Sequence, residues 1–346
     1  MNQLPCHRRL AILAITAGLA ACTANRPDAG AFVPQATAPD STPAASSPQP
    51  DSASLTYVVS YETNEILGFP LAANGNVAPT AIVGGSKTNL DQPDALAIDS
   101  ASGTFFVANG NYGDHRILIF PKNSNGNVAP KVLGGSSVPI QNTEGLAVDA
   151  HGELYVSDYT AKAIYVFAAG ASGNTAPIRT IAGVATELVQ PLGMSFDSSG
   201  HLYVANGHDS TAPVEEFAAG ANGNVAPIAT IGGSHTKLLG ISDVVLDPHN
   251  RIMVPNAGCI EIFAAGAHGN VSPAATIKGN KTTIVDLTTL GTDANGSIYG
   301  TNVIDIPNLK FSIIVFAHNA SGNVAPKRIL SGSHTHIIDT FYPTTL

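Results

Sequence analysis

Asp94, Glu144, Asp243 and Asp286 stand at the openings of four short apolar runs, and Asn109, Asp158, Asn206, Asn256 and Asn302 close the runs that follow. Carboxylate and amide oxygens gathered around one axis suit a hard cation such as Ca2+, which takes roughly six to eight oxygen ligands. Asp94 and Glu144 are the candidate metal ligands. Like charges near a narrow axis need a cation or a shared proton, and no Lys or Arg stands at the equivalent openings. Asp94, Glu144, Asp243, Asp286, Asn109, Asn206 and Asn256 form the candidate ligand-binding set. The Asn/Asp column has a competing use. It recurs in five units, as expected of side chains that cap segment ends through backbone hydrogen bonds.

Other chemistry is thinner. His334-Thr335-His336 has the spacing that puts two imidazoles on one face of a strand, where they could share zinc. His235 occupies the place equivalent to His334, which marks that histidine as part of a repeat. Cys259 opens the strand-like run Cys-Ile-Glu-Ile-Phe and reads as a small buried residue with nothing nearby to activate it. The sequence contains no Gly-x-Ser-x-Gly elbow, phosphate-binding Walker loop or Cys-x-x-Cys pair. No catalytic residue can be assigned.

The elements that position these residues come from a repeat. Asn-Gly-Asn-Val-Ala-Pro or a close variant recurs six times, centred on Gly75, Gly126, Gly173, Gly223, Gly269 and Gly322, spaced 51, 47, 50, 46 and 53 apart. A period this long means one supersecondary unit per repeat. Each unit holds four strand signals, as in residues 145–149, 154–158, 163–167 and 178–181. The first two strands are joined by Asp-x-x-Gly, as at Asp149, Asp197 and Asp293, where Asp caps the turn and Gly takes positive φ. Four-stranded units repeated radially predict an all-β, six-bladed β-propeller. The first unit starts at Leu55 on a second strand, and Phe341 to Leu346 falls where a first strand is due. The C-terminal strand is therefore expected to complete the first blade.

Strand order assigns the faces. The Asp-x-x-Gly turns and the Gly-Asn loops fall at one end, called lower here. The varied second-to-third and unit-to-unit connections fall at the upper end, where binding usually resides. Leu202 to Asn206, Leu154 to Asp158 and Gly145 to Asp149 resemble NHL and YVTN-type propeller repeats. More distantly, Glu144-Gly145 and Asn206-Gly207 are similar to gluconolactonase and regucalcin-like propellers. That resemblance implies a cation-dependent hydrolase or lyase acting through axial carboxylates, as the alternative to a ligand- or partner-binding module. It departs from the family in that Glu144 sits in the third unit and no Asp-Gly dipeptide occurs.

Arg8 and Arg9 precede the apolar run Leu10 to Leu19, followed by Leu19-Ala20-Ala21-Cys22. A short positive region, an apolar core and small residues before a cut describe a secretory leader, residues 1–21. Leu-Ala-Ala-Cys resembles the bacterial lipobox, which implies lipidation of Cys22 and a membrane partner held through that anchor. Thr23 lacks an acidic retention signal, so the expected place is the outer membrane of a bacterial envelope. Residues 22–54 carry Pro27, Pro34, Pro39, Pro43, Pro48 and Pro50 among Ala, Ser, Thr and Gln, a composition that cannot offset ordering entropy. They read as a tether, and residues 55–346 as the propeller. Loss of Cys6 with the leader and lipidation of Cys22 leave Cys259 alone, so no disulfide forms within the chain. The formal charge is −9, and loss of the two leader arginines takes it to −11. This balance argues against electrostatic attraction to nucleic acid or anionic lipid; a protein or glycan is the partner expected at the upper face.

Overall fold

A computed structural model describes residues 55–110, 115–207, 213–256, 258–305, 310–338 and 340–345. The leader, Cys22 and the tether lie outside these residues. Six four-stranded sheets follow one another along the chain, and every pairing within them is antiparallel. The protein is an all-β, six-bladed propeller. The innermost strands of blades two to six are Pro93–Ile98, Thr143–Val148, Pro191–Phe196, Val245–Leu246 and Asp286–Thr292.

Blade one is built from both ends of the propeller chain. Its innermost strand is Thr340–Thr345, which pairs with Leu55–Ser60 from Thr56↔Thr345 to Ser60↔Thr340. The expected closure is present. Every second strand is buried through its middle on both faces, as in Phe105–Asn109 and Leu154–Asp158, because a blade is covered by a neighbour on each side. One phenylalanine per blade, from Phe69 through Phe120, Phe167, Phe217 and Phe263 to Phe316, ends a third strand or lies one residue from its end, fully buried. Each fills the space between blades at the same depth.

The Gly-Asn loops fasten each blade to the one before it. The N–H of Gly126 donates to Ile82 O on the fourth strand of blade one at 2.6 Å, and the same bond recurs around the ring to Gly75, which bonds Ile329 O of blade six. The second Asn of each motif adds a side-chain bond. Asn76, Asn127, Asn174, Asn224, Asn270 and Asn323 accept from the backbone N–H of His334, Lys87, Ser137, Ala185, His235 and Lys281. Each loop thus covers the outer edge of the preceding blade, an edge that would otherwise offer unpaired backbone groups.

Candidate functional site

A bulge shapes the upper end of the ring. In blade two the register slips between Pro93 and Ala95, and in blade three between Thr143 and Gly145. The extra residues are Asp94 and Glu144. Blade four slips between Pro191 and Met194, and blade six between Leu287 and Thr289. A bulge re-aims one side chain and tightens the local twist. Leu192, Ser242 and Thr288 stand at the matching place, five residues before the turn Asp, so among blades two to six the two carboxylates occupy neighbouring bulges and the other matching places are apolar or hydroxylic.

Both acids are buried, Asp94 at 7% and Glu144 at 1% exposure. Glu144 Oε1 accepts from Asn142 Nδ2 at 3.2 Å. Asp94 Oδ1 is buried with no hydrogen-bond donor. Burial lifts the Asp94 carboxyl well above the ordinary range and the charge of Glu144 adds to this, against the opposing pull of its own backbone N–H. Gly110 is required beside it, since a Cβ there would lie 2.5 Å from Asp94 Oδ2 and 2.4 Å from Gln92 O. Carboxylate oxygens in this setting fit the hard-cation chemistry expected of Asp94 and Glu144.

Asp243 and Asp286 belong to other positions. Asp243 sits one residue further in than the bulge, where its Oδ2 accepts from Leu290 N of blade six at 2.9 Å and its Oδ1 from Val244 N. It also packs on Gly193 of blade four, whose Cβ would fall 2.0 Å from Asp243 Oδ1. Asp243 therefore ties three innermost strands together. Asp286 opens its strand at the mouth of the ring. Burial pushes both carboxyls up to about 7, against the backbone N–H bonds each accepts.

The amide column is engaged with backbone. Asn109 Oδ1 accepts from Asp91 N at 2.8 Å and its Nδ2 donates to Asn89 O. Asn206 and Asn256 make the same pair of bonds, to Val189 N and Glu187 O and to Leu239 N and Lys237 O. Asn302 repeats it with Val285 and Thr283, and Asp158 accepts from Gln141 N. The partners belong to the connection entering the same blade, so the column holds that connection against the end of the second strand.

His334 and His336 do not lie on a strand, as their spacing suggested. They flank the buried Thr335, whose hydroxyl donates to Gly332 O in a turn, and His336 has φ 58°. The turn forms because Thr335 repeats Thr88, Thr186, Thr236 and Thr282, each bonded to the Gly three residues earlier. Cys259 is fully buried, with its thiol directed to Asn256 O at 2.9 Å. At the lower end, an open recess of about 350 Å³ lies among the first-to-second strand turns of blades four to six, lined by Asp197, Leu246, Asp247, Asn250, Thr292 and Asp293 among others. Beside it, Asp197, His201 and Glu216 bring ligating atoms within 4.8 Å of one another. Sequence reasoning passed over this group. Its signal was Glu215-Glu216 in a third strand that elsewhere reads apolar, as in Ala163–Phe167.

No protein-family model matches the chain, and no curated protein matches it. Solved structures do. A chain of the nidogen/laminin complex superposes with a TM-score of 0.60 at 15% identity, over 84% of this chain and 97% of that one. A protein of unknown function from Bacteroides caccae gives 0.56 at 11% identity, over 85% and 98%. The WD40 β-propeller domain of Doa1 gives 0.53 at 12% identity, over 81% and 80%. These likenesses establish the propeller fold, and nothing finer.

Proposed function

We propose that this chain is an envelope lipoprotein, anchored through Cys22, whose NHL/YVTN-like propeller binds a ligand or partner at its upper end. The observation that carries the reading is the carboxylate pair at neighbouring bulges. Asp94 and Glu144 are buried, act on each other's charge, and leave Asp94 Oδ1 without a donor. Groups so placed lose stability unless something cationic or hydrogen-bond-donating meets them. The occupant that fits is Ca2+, or a ligand bound through it, with Asp94 and Glu144 as ligands. Asp243, Asp286, Asn109, Asn206 and Asn256 frame the mouth and fix its connections. A propeller of the nidogen/laminin complex belongs to a protein assembly by its description, which agrees with a protein partner here; a glycan would suit the same mouth.

Calcium added to chelator-treated protein should raise Tm by ordinary ligand linkage. The Asp94→Asn, Glu144→Gln variant should fold and lose that rise. Unchanged wild-type Tm with chelator and with calcium would sink the cation reading. The anchor is tested separately: labelled fatty acid should enter the wild type and not Cys22→Ala, which should leave the membrane fraction.

The rival reading is a cation-dependent hydrolase or lyase of the lactonase kind. One observation favours it: burial and the charge of Glu144 raise the Asp94 carboxyl well above the ordinary range, the direction in which a general acid is tuned. Turnover of sugar lactones by the wild type, lost in Asp94→Asn, would establish it.

A further inference from the structure

We infer that Asp197, His201 and Glu216, at the lower end of blade four, form a binding site for a divalent transition-metal ion of the zinc class. The inference is independent of the upper-end site, which uses other residues at the opposite end of the blades. His201 Nδ1 lies 3.1 Å from Asp197 Oδ2 and 3.1 Å from Glu216 Oε1. One imidazole nitrogen holds at most one proton, so it cannot serve two carboxylate oxygens equally well. A metal ion serves all three atoms at once. Ligands about 2.1 Å from zinc stand about 3.0–3.4 Å apart on neighbouring corners of an octahedron or tetrahedron, which the two 3.1 Å separations match.

The neighbouring blades give the second, separate observation. The same cross-strand row runs through strands two, three and four of each blade. In blade three it reads Tyr155, Val166, Arg179, and in blade six Tyr299, Val315, Arg328. Each arginine bonds the tyrosine hydroxyl, and Arg179 also pairs with Glu153, which sits where His201 does in blade four. In blade four the row reads Tyr203, Glu216, Ala229. Blade four has Ala229 where blades three and six have arginine, and its row alone carries a carboxylate, Glu216. Arg251 of blade five, which stands where His201 does in blade four, is committed to Asp247 and to His318 O. Blade four thus holds two carboxylates and a histidine where blades three and six hold a guanidinium, while the rows of blades one, two and five, which end in Ala81, Lys131 and Ala275, carry no carboxylate.

The surroundings suit a bound ion. Asp197 Oδ1 is fixed by the N–H groups of Ser199 and His201, which leaves Oδ2 aimed at the imidazole. Tyr203 hydrogen-bonds Glu216, the outer support that metal-bound carboxylates usually have. All three ligands are partly exposed, and Asp197 lines the open recess, so an ion can enter and water can complete its shell. One nitrogen and two oxygen ligands favour Zn2+, Mn2+ or Co2+ over Ca2+, which prefers oxygen alone.

The test uses chelator-treated protein titrated with Zn2+ by calorimetry, with Tm read in parallel. The wild type should bind with one site assigned to this cluster and gain several degrees of Tm. His201→Gln should weaken that binding by at least about tenfold. Ala229→Arg is the decisive variant. It should place a guanidinium against Tyr203 and Glu216, raise Tm without metal and remove the zinc response. Equal zinc binding by wild type, His201→Gln and Ala229→Arg would overturn the inference, as would no binding by a folded wild type. Loss of the calcium response in Asp94→Asn, Glu144→Gln should leave zinc binding unchanged.

Discussion

Asn76 and His334 lie 258 residues apart and are joined by a hydrogen bond of 2.8 Å from the His334 backbone N–H to Asn76 Oδ1. The bond is the sixth copy of one that joins every other pair of blades, so the ring closes at its outer edge by the device that holds it everywhere else. A second closure lies at the axis, where Thr340–Thr345 completes blade one. Propellers need both because an open ring leaves two blade faces in water.

Asn76→Ala should therefore cost about as much as Asn174→Ala, about 1–2 kcal/mol each, since each leaves one backbone N–H without its acceptor. Chemical denaturation of both variants checks this. A much larger loss for Asn76→Ala would mean the ring is weakest at its seam.

Deleting residues 340–346 should do more damage. It strips the inner edge of blade one and uncovers Tyr57, Val58 and Val59, all buried in the intact ring. Tm should fall by on the order of 10 °C, with new binding of a hydrophobic dye. An unchanged melting curve would contradict the pairing.

The buried acids make stability depend on pH in an unusual direction. Asp243 and Asp286 ionise near 3.8 when unfolded and near 7 when folded, and Asp94 is shifted the same way. Between those values the native state holds more protons than the unfolded chain, so the stability these groups contribute is full below about pH 4, declines as pH rises to about 7 and is level above that. Tm measured in metal-free buffer should be several degrees higher at pH 5 than at pH 8. Asp286→Asn should flatten the slope; the same slope in that variant would remove Asp286 as a cause.

Gly193→Ala tests the tie through Asp243. The added methyl would meet Asp243 Oδ1 at 2.0 Å and its Cα at 2.8 Å, and backbone cannot retreat there without parting two innermost strands. A loss of about 3 kcal/mol or more is expected, with a lowered denaturation midpoint as the readout. Gly223→Ala has open space around its Cβ and is strained only by φ +76°, so it should cost less.

Much of the architecture was legible in the chain because the repeat states it six times. Short apolar runs, Asp-x-x-Gly turns and a first unit that begins at Leu55 on a second strand dictate four strands per blade and closure by the C-terminal strand. These are local patterns, and local sterics and hydrogen bonding decide them. The bulge was not legible, since one extra residue in an apolar run leaves the run looking unchanged. For that reason Asp94, Glu144, Asp243 and Asp286 read as equals in sequence, while the ring puts the first two at bulges, uses the third to tie strands and leaves the fourth at the mouth. The Gly-Asn motif likewise announced a repeat and hid its purpose, because its partners lie in the preceding blade. Asp197, His201 and Glu216 come together only when three strands of blade four align, and the missing arginine is visible only when its row is set beside those of blades three and six. Strand formation depends on neighbours in sequence; which charges share a buried space depends on how strands register and how blades are turned around the axis.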